Sequence, residues 1–324
     1  MNSINLFNNI KTQFQRQSWI PAAKIKRPFV KHANSIDSPA KIWQYSPWNT
    51  TKKVSVIIPT FDAYRNGYFK KLISQINRQR YKSFEIIVVR GDPRQGRAIN
   101  IGAAIAKGKY LITLDDDTSL PDPKTFENLV ATLERHPKIG IAGGNNVIPQ
   151  DANPFIKRVM KEIPRRSWQP VKLITDSDLA EHPLMIIRKD VFFKVGGENE
   201  IIPRGLDPYL RFQFRNVGYR VVVIPGAVYS HLPPDTLVKL MKQFFRNGKQ
   251  AAFCNRFYPQ WVIETPEHHT KDFLPKRSIL YRTGRYILNF VKKASKGHFL
   301  YLIVSSVYAF GFTFGYLVFK KNKA

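Results

Sequence analysis

The stretch Tyr110-Leu111-Ile112-Thr113-Leu114-Asp115-Asp116-Asp117 decides how this chain is read. Its first five residues are mostly apolar or aromatic and follow Gly108-Lys109, which predicts a short buried strand. The carboxylates come straight after. In an open α/β sheet, ligands bind beyond the carboxyl ends of the strands, where these acids would emerge. Adjacent carboxylates repel one another unless a cation lies among them, and hard divalent cations prefer oxygen ligands. In extended chain Asp115 and Asp117 point one way and Asp116 the other. A cation held there could bridge a diphosphate and stabilise it as a leaving group. The alternative is an acidic turn leading into a helix near Pro123.

On the N-terminal side, Val54-Ser55-Val56-Ile57-Ile58 predicts a buried strand stopped by Pro59-Thr60-Phe61-Asp62. Tyr68, Leu72, Ile73 and Ile76 then recur at helical spacing. Glu85 to Val89 is a continuous apolar strand of the parallel type. Arg90 to Arg97 reads as a polar loop, and Ala98, Ile101, Gly102 and Ile105 mark a second helix. Past the acids, Asp122-Pro123 is a cap and first turn, with Phe126, Leu129, Val130 and Leu133 lining the helix behind it. This alternation predicts an α/β protein with right-handed crossovers and a Rossmann-like, mostly parallel sheet.

The 324 residues suffice for one large or two ordinary domains, and 43% hydrophobic content supplies a core. One cysteine, Cys254, excludes an internal disulfide framework. The formal net charge of +29 calls for an anionic partner or surface, and its distribution matters. Residues 1–53 hold 9 Lys/Arg against 1 acid, residues 54–234 hold 27 against 18, and residues 235–324 hold 16 against 4. The middle is mildly basic and the flanks touch something negative, nucleic acid or anionic lipid. No helix-turn-helix, zinc-finger spacing or ribonucleoprotein motif accompanies the charge, so no nucleic acid is expected as a partner.

The ordered strings VSVIIPTF, EIIVV and GRAINIGAAIAKGKYLITLDDD, followed by KDVFFKVGGENE and GLDPYLRFQFRNVGYRVVVIPGAVYSH, resemble family 2 glycosyltransferases. The resemblance covers about Lys52 to Pro234. It implies a nucleotide-diphospho-sugar transferase fold of GT-A type, a nucleotide-sugar donor, Mg²⁺ or Mn²⁺, and inversion at the anomeric carbon. It assigns Pro59, Thr60 and Asp62 to the base and ribose, Asp115 and Asp116 to the donor, and Asp117 with His231 to the metal. Asp207 matches the second acid of the family's Glu-Asp pair, the base that takes the proton from an acceptor hydroxyl. Without the family match, Asp207 reads as an ordinary helix cap, and His231 as a structural histidine after a strand at Val221–Ile224 and a Pro225-Gly226 turn. The chain also departs from the family pattern. Leu206 stands where glutamate is usual, Tyr209 where a second aspartate is common, and Gln213 where arginine is frequent. The Asp-Asp after the second strand is Arg90-Gly91-Asp92 here, leaving Asp92 as the candidate base reader, while Arg94 and Arg97 could hold phosphate oxygens.

The ends read differently. Leu6, Phe7, Ile10 and Phe14 could form one face of a short helix, and Pro39 to Lys53 looks like a linker closing a basic arm over residues 1–51. After Pro234, Leu237, Leu240, Met241, Phe244 and Phe245 share one helical face opposite Lys239, Lys242, Arg246 and Lys249. Ile279, Thr283, Ile287 and Phe290 repeat the arrangement opposite Arg282, Arg285 and Lys293. Either face could meet anionic lipid headgroups or pack on the catalytic core. Phe299 to Phe319 then runs without a charge for about 31 Å, a bilayer's hydrocarbon depth. These features predict a catalytic domain over 52–234, membrane-proximal helices over 235–297 and a single transmembrane helix over 298–320. The cations before the apolar run outnumber those after it, placing the catalytic side in the cytoplasm. The expected acceptor is lipid-linked or a cell-surface glycan. The rival readings are transfer to a polyprenyl phosphate, a basic nucleic-acid-binding protein, and a catalytically dead scaffold.

Overall fold

The structure, a computed structural model, describes residues 19–33, 37–46, 48, 51–150, 152–164, 166–266, 268–271 and 277–319. The helix expected on Leu6 to Phe14 lies outside them.

In chain order the strands are β1 (Ile20–Pro21), β2 (Lys41–Tyr45), β3 (Val54–Thr60), β4 (Phe84–Arg90), β5 (Tyr110–Thr113), β6 (Thr118–Ser119), β7 (Ile139–Asn146), β8 (Thr175–Asp176), β9 (Met185–Arg188) and β10 (Arg220–His231). The helices are α1 (Tyr68–Arg78), α2 (Gln95–Ile105), α3 (Thr125–Arg135), α4 (Pro154–Glu162), α5 (Lys189–Lys194), α6 (Leu206–Asn216), α7 (Leu237–Phe257), α8 (Ile279–Ala294) and α9 (Phe299–Val318). One sheet runs β1-β2-β4-β3-β5-β9-β7-β10-β6, with β8 also on β10. Strands β4, β3, β5, β7 and β10 point the same way. Each face of the sheet carries its own buried cluster. One centres on Val56, Ile58, Ile112 and Phe126, and the other on Ile57, Leu111, Ile187 and Phe214.

The sheet is mixed where alternation alone suggested parallel pairing. β9 lies antiparallel between β5 and β7, and β2 is antiparallel at the edge of β4. β2 corrects the linker reading of Pro39 to Lys53. Its flanking prolines look like loop, yet Ile42 and Trp43 are buried against the sheet, covering an edge that would otherwise expose a row of unpaired backbone groups. The basic arm is tied down as well: Arg27 pairs with Glu200 at 2.8 Å, and Phe29 stacks on Phe193. The expected Pro225-Gly226 turn is a bulge inside β10, where the pairing with β7 shifts register between Val223 and Val228. Proline cannot donate to a ladder, and a bulge is where a strand tolerates it. Helix α3 begins at Thr125 with Lys124 as its cap; Asp122 instead accepts from the Lys124 N–H at 2.8 Å, in the turn before it.

The last three helices form a layer of their own. α9 is long and apolar enough to cross a membrane, by length and composition. It does not stand alone. α7 runs beside it for its whole length, from Leu240 on Leu300 and Val304 to Phe253 on Phe319, whose ring centroids are 5.3 Å apart. Small residues permit this approach: a Cβ on Gly248 would collide with the Tyr308 carbonyl, and one on Gly311 with that of Phe245. α8 doubles back, with the Tyr286 hydroxyl donating to the Ser305 carbonyl at 2.8 Å and Arg282 donating to Asn255 at 3.1 Å. Glu162 at the end of α4 accepts from the Leu300 N–H at 2.8 Å, capping α9 and tying the layer to the sheet domain.

Candidate active site

The acids emerge where the sequence placed them. β5 ends at Thr113, Leu114 still donates its N–H to Ile57 at 3.1 Å, and the Thr118 N–H closes a turn on the Asp115 carbonyl at 3.0 Å. β6 then pairs antiparallel with the far end of β10, setting Thr118 opposite His231. That pairing delivers the imidazole to the carboxylates. His231 Nε2 lies 2.9 Å from Asp117 Oδ1 and 3.6 Å from Asp115 Oδ2. Asp116 turns the other way and accepts from the Thr60 hydroxyl at 2.6 Å. The acids lie in a turn, not in the extended segment expected, and it is the turn that brings Asp115 and Asp117 to one histidine.

Asp115, Asp117 and His231 each turn one ligand atom into a space where these atoms lie within 4.8 Å of one another. Two carboxylate oxygens with one imidazole nitrogen form a donor set that a divalent cation fits, Mn²⁺ more readily than Mg²⁺. The electrostatics agree. Burial pushes the Asp115 carboxyl up to about 6, opposed by the His231 charge and reinforced by Asp117. Asp117 is also buried, but the hydrogen bond and charge of His231, with Arg65, hold it well below the usual carboxylate range. The cluster already draws cations to itself.

Arg65 is one of them, and nothing in the sequence reading singled it out. Its guanidinium donates to Asp117 at 2.9 Å, and its Nε lies 3.6 Å from Asp116. It sits in a loop where Ala63, Arg65 and Asn66 have φ of 57°, 45° and 54°, a region non-glycine residues rarely occupy. Asp62 holds that loop, accepting from the N–H groups of Tyr64 and Arg65 at 2.9 Å each. Its carboxylate is thus engaged in the turn, while Pro59 and Thr60 line the open cavity beside it.

Two expectations for the loop after β4 change. Arg97 is buried and donates to both Asp92 oxygens, at 2.8 and 3.1 Å. Asp92 also accepts from the Ser38 hydroxyl at 2.5 Å and the Arg94 N–H at 2.8 Å. Arg97 therefore does not face phosphate oxygens: the buried acid in the loop just before its helix takes its guanidinium. Asp92 reaches the cavity wall with its carboxylate already engaged. Arg94 points elsewhere, donating to the carbonyls of Glu200 and Ile201. In their place Gln95 reaches the site, donating to Asp115 at 2.8 Å.

Asp207 lies in the first turn of α6, past Gly205 as the cap, and its carboxylate lines the same cavity as the acids. Its Oδ1 accepts from the His182 N–H at 2.6 Å. The His182 ring is fully enclosed, with Nε2 2.9 Å from Glu198 and 3.8 Å from Asp207, and Nδ1 3.3 Å from the Thr113 hydroxyl. Burial alone would lower the imidazole, but Asp207 and Glu198 outweigh it and push it up to about 9. Burial would raise Asp207, and the charges of His182 and Arg211 outweigh that, leaving it below its ordinary value. Neither His182 nor Glu198 was expected; Glu198, the acid that follows Gly196-Gly197 in KDVFFKVGGENE, was the available signal. The departures at Leu206 and Tyr209 are core residues. Both are buried with Ile202 and Cys254 beneath the site, and burial, with Glu198, pushes the Tyr209 hydroxyl up to about 12.

Comparison with known proteins agrees with this geometry. Residues 90–194 match the family model described as Glycosyl transferase family 2. An uncharacterized glycosyltransferase of Haemophilus influenzae is 24% identical over 184 residues, covering 48% of this chain and 59% of that protein. A glucosyl-dolichyl phosphate glucuronosyltransferase of Haloferax volcanii is 22% identical over 311 residues, covering 82% and 95%. A mannosyltransferase of Pyrobaculum calidifontis, solved in complex with GDP-Man and Mn²⁺, shares the fold: its TM-score is 0.53 at 13% identity, covering 98% of this chain and 96% of that one.

Proposed function

We propose that this chain, whose residues 90–194 match the family 2 glycosyltransferase model and whose fold is shared with a solved mannosyltransferase, moves a sugar from a nucleotide-diphosphate donor to a hydroxyl of a lipid-linked or cell-surface glycan. The observation that carries this reading is the convergence of Asp115, Asp117 and His231 on one cavity that also holds Asp207. Asp117 and His231, with Asp115, would hold Mg²⁺ or Mn²⁺. That ion would supply charge stabilisation to the departing diphosphate. Pro59 and Thr60 border the space for the nucleotide, and Thr60 also fixes Asp116. Arg65 reaches the acids from the rim and is placed to meet a diphosphate oxygen.

Asp207 acts as the base. It is a carboxylate at neutral pH, partly open to the cavity, and held in position by the His182 N–H. Taking the proton from an acceptor hydroxyl on the face opposite the leaving group yields inversion in a single displacement. Transfer to a lipid phosphate is the second reading, favoured by the cationic residues on α8 that line the same cavity.

Membrane attachment is part of the proposal, with the catalytic domain on the cytoplasmic side. α9 has the length of a single crossing, and we propose attachment through one face of this layer in its place. α7 accompanies α9 throughout and carries Lys242, Arg246 and Lys249 along its middle. Cations at a bilayer's centre cost roughly 2.5–3.5 kcal/mol each.

The test is a panel of nucleotide sugars scored by thermal shift with and without Mn²⁺, followed by transfer assays. A specific donor should stabilise the wild-type protein only with the metal, and Asp117→Ala should lose that response. No response to any common nucleotide sugar, with Asp117→Ala behaving as wild type, would sink the reading. Asp207→Asn should abolish transfer to a hydroxyl; retained transfer to a phosphate would select the second reading.

A further inference from the structure

The membrane-proximal layer is amphipathic in an unusual sense. Along α8, Arg282, Arg285, Asn289 and Lys292 recur at three- and four-residue spacing, one stripe of the helix; with Lys293 beside them and Lys296 in the turn after the helix, they line the cavity. The opposite side is apolar and open: Leu280 is 82% exposed, Leu288 67% and Val291 59%. On α9, Phe310 and Leu317 are likewise exposed at 66% and 75%. A helix that only clothed a soluble domain would bury its apolar side and show its charges to water. Here the apolar side faces out, as a lipid-immersed face does, and the cations face in.

What they face has a definite chemistry. The cavity, about 2280 Å³, is bounded by Asp115–Asp117 and Asp207 on the sheet side and by the α8 stripe on the other. Tyr308, Phe312 and Tyr316 of α9 continue its wall along the apolar helix. Arg282 is engaged by Glu264 at 3.8 Å and by Asn255. Arg285, Lys292 and Lys296 have no carboxylate within 4 Å among the described residues, and Lys293 rests over the Tyr301 ring at 5.4 Å. Arg282, Arg285 and Lys293 are half-buried on the cavity wall, while Lys292 and Lys296 are exposed at its rim; such a row of cations, beside an aromatic wall on an apolar helix, is complementary to an amphiphile with an anionic head.

We propose that the inward face of α8 binds the phosphate of a lipid-linked substrate, whose chain lies along α9 while its head reaches toward Asp207. The inference rests on the transferase reading above and names the class of acceptor that the site receives. Arg285 and Lys292 provide the phosphate contacts. The lipid, rather than free phosphate, is the occupant because the aromatic wall extends the cavity along a helix whose outer face is apolar.

The experiment uses the full chain and three kinds of vesicle. These are phosphatidylcholine alone, phosphatidylcholine with a polyprenyl monophosphate, and phosphatidylcholine with phosphatidylglycerol at equal charge. The wild-type protein should bind the polyprenyl phosphate vesicles most tightly, and inorganic phosphate at matched concentration should not displace it. Arg285→Gln with Lys292→Gln should weaken that binding about tenfold or more, since each cation near an anionic lipid contributes on the order of a few-fold. Binding to phosphatidylcholine alone should be unchanged. Lys124→Gln with Lys138→Gln, cations outside the cavity, is the control and should match wild type. Equal binding to both anionic vesicles, displacement by inorganic phosphate, or an Arg285/Lys292 variant that binds as wild type would each overturn the proposal. Donor stabilisation with Mn²⁺ is measured in parallel on the same proteins. If it fails in wild type, the transferase reading falls; if it holds while the vesicle arms fail, only the phosphate site falls.

Discussion

Replacing His182 by glutamine tests the charge arrangement behind the proposed base. The imidazole is enclosed, 2.9 Å from Glu198 and 3.8 Å from Asp207, and is pushed up from 6.5 to about 9. A histidine raised in this way stabilises the fold fully below its unfolded value, and the contribution fades as pH rises through the folded one. The span from 6.5 to about 9 corresponds to roughly 3 kcal/mol. His182→Gln keeps a polar side chain of similar size but leaves the buried Glu198 carboxylate without its cation and removes one cation from beside Asp207. Breaking a buried pair costs about 3–5 kcal/mol. Urea titrations at about pH 6 and about pH 9.5 should therefore show a large stability gap at the lower pH that shrinks by roughly 3 kcal/mol at the higher. If the variant does not fold, His182→Gln combined with Glu198→Gln removes the stranded charge and should recover stability while keeping the flat pH dependence. Activity supplies a second readout. Asp207 is held below its ordinary value partly by the His182 charge, so the acid limb of kcat/KM should move to higher pH in His182→Gln. A stability gap of the same size at both pH values, with an unmoved acid limb, would mean that His182 is neutral in the native state and the reasoning is wrong.

Three further outcomes follow from the geometry. His231→Ala should abolish the Mn²⁺-dependent part of donor stabilisation, which for donor at about a hundred times its Kd amounts to about 2.7 kcal/mol, while melting without metal stays close to wild type. Gly248→Val should disrupt the α7–α9 contact, since its side chain would collide with the Tyr308 and Phe312 backbone; membrane flotation should fall while the donor-induced thermal shift survives. In sealed vesicles, cysteines introduced at Ser295 and Lys320, on either side of α9 in the chain, should react with an impermeant maleimide from the same face, because a one-face attachment does not carry α9 across. Labelling from opposite faces would restore the single crossing.

The centre of the fold was legible because buried parallel strands write themselves as unbroken apolar runs. Val54–Ile58 and Glu85–Val89 became β3 and β4 almost residue for residue. β2 was hidden by its setting. An edge strand needs few apolar residues, and prolines and asparagines crowd both ends of Lys41–Tyr45. The bulge in β10 was equally hidden, since Pro225-Gly226 writes a turn and a bulge with the same letters. The site divides in the same way. Asp115, Asp117 and His231 could be expected from motif order, but the His182–Glu198 pair joins the segment before β9 to the loop after α5. No local pattern records that meeting. Arg97 was misread for the opposite reason: its partner, Asp92, lies five residues back in the loop before the helix, and the nearby buried acid takes its guanidinium.

The last three helices show why a charge count and a hydropathy run can each be right and still mislead together. Phe299–Val318 has the length of a span, and residues 235–324 carry the greatest excess of cations. Read separately, these give a membrane crossing and a basic surface for headgroups. In the structure they are sides of one layer, because α7 and α8 lie alongside α9, and the α8 cations, with Lys239 and Arg246 of α7, line the cavity. The excess positive charge is then directed less at the lipid plane than at whatever anion the cavity admits. The negative carboxylate cluster stands at its other wall, so an anion cannot settle against both sides alike. A diphosphate donor would need a metal among the carboxylates, whereas a lipid phosphate would find its cations already on α8. The two walls would thus separate the two proposed phosphate-bearing substrates by the sign of the protein charge each one meets.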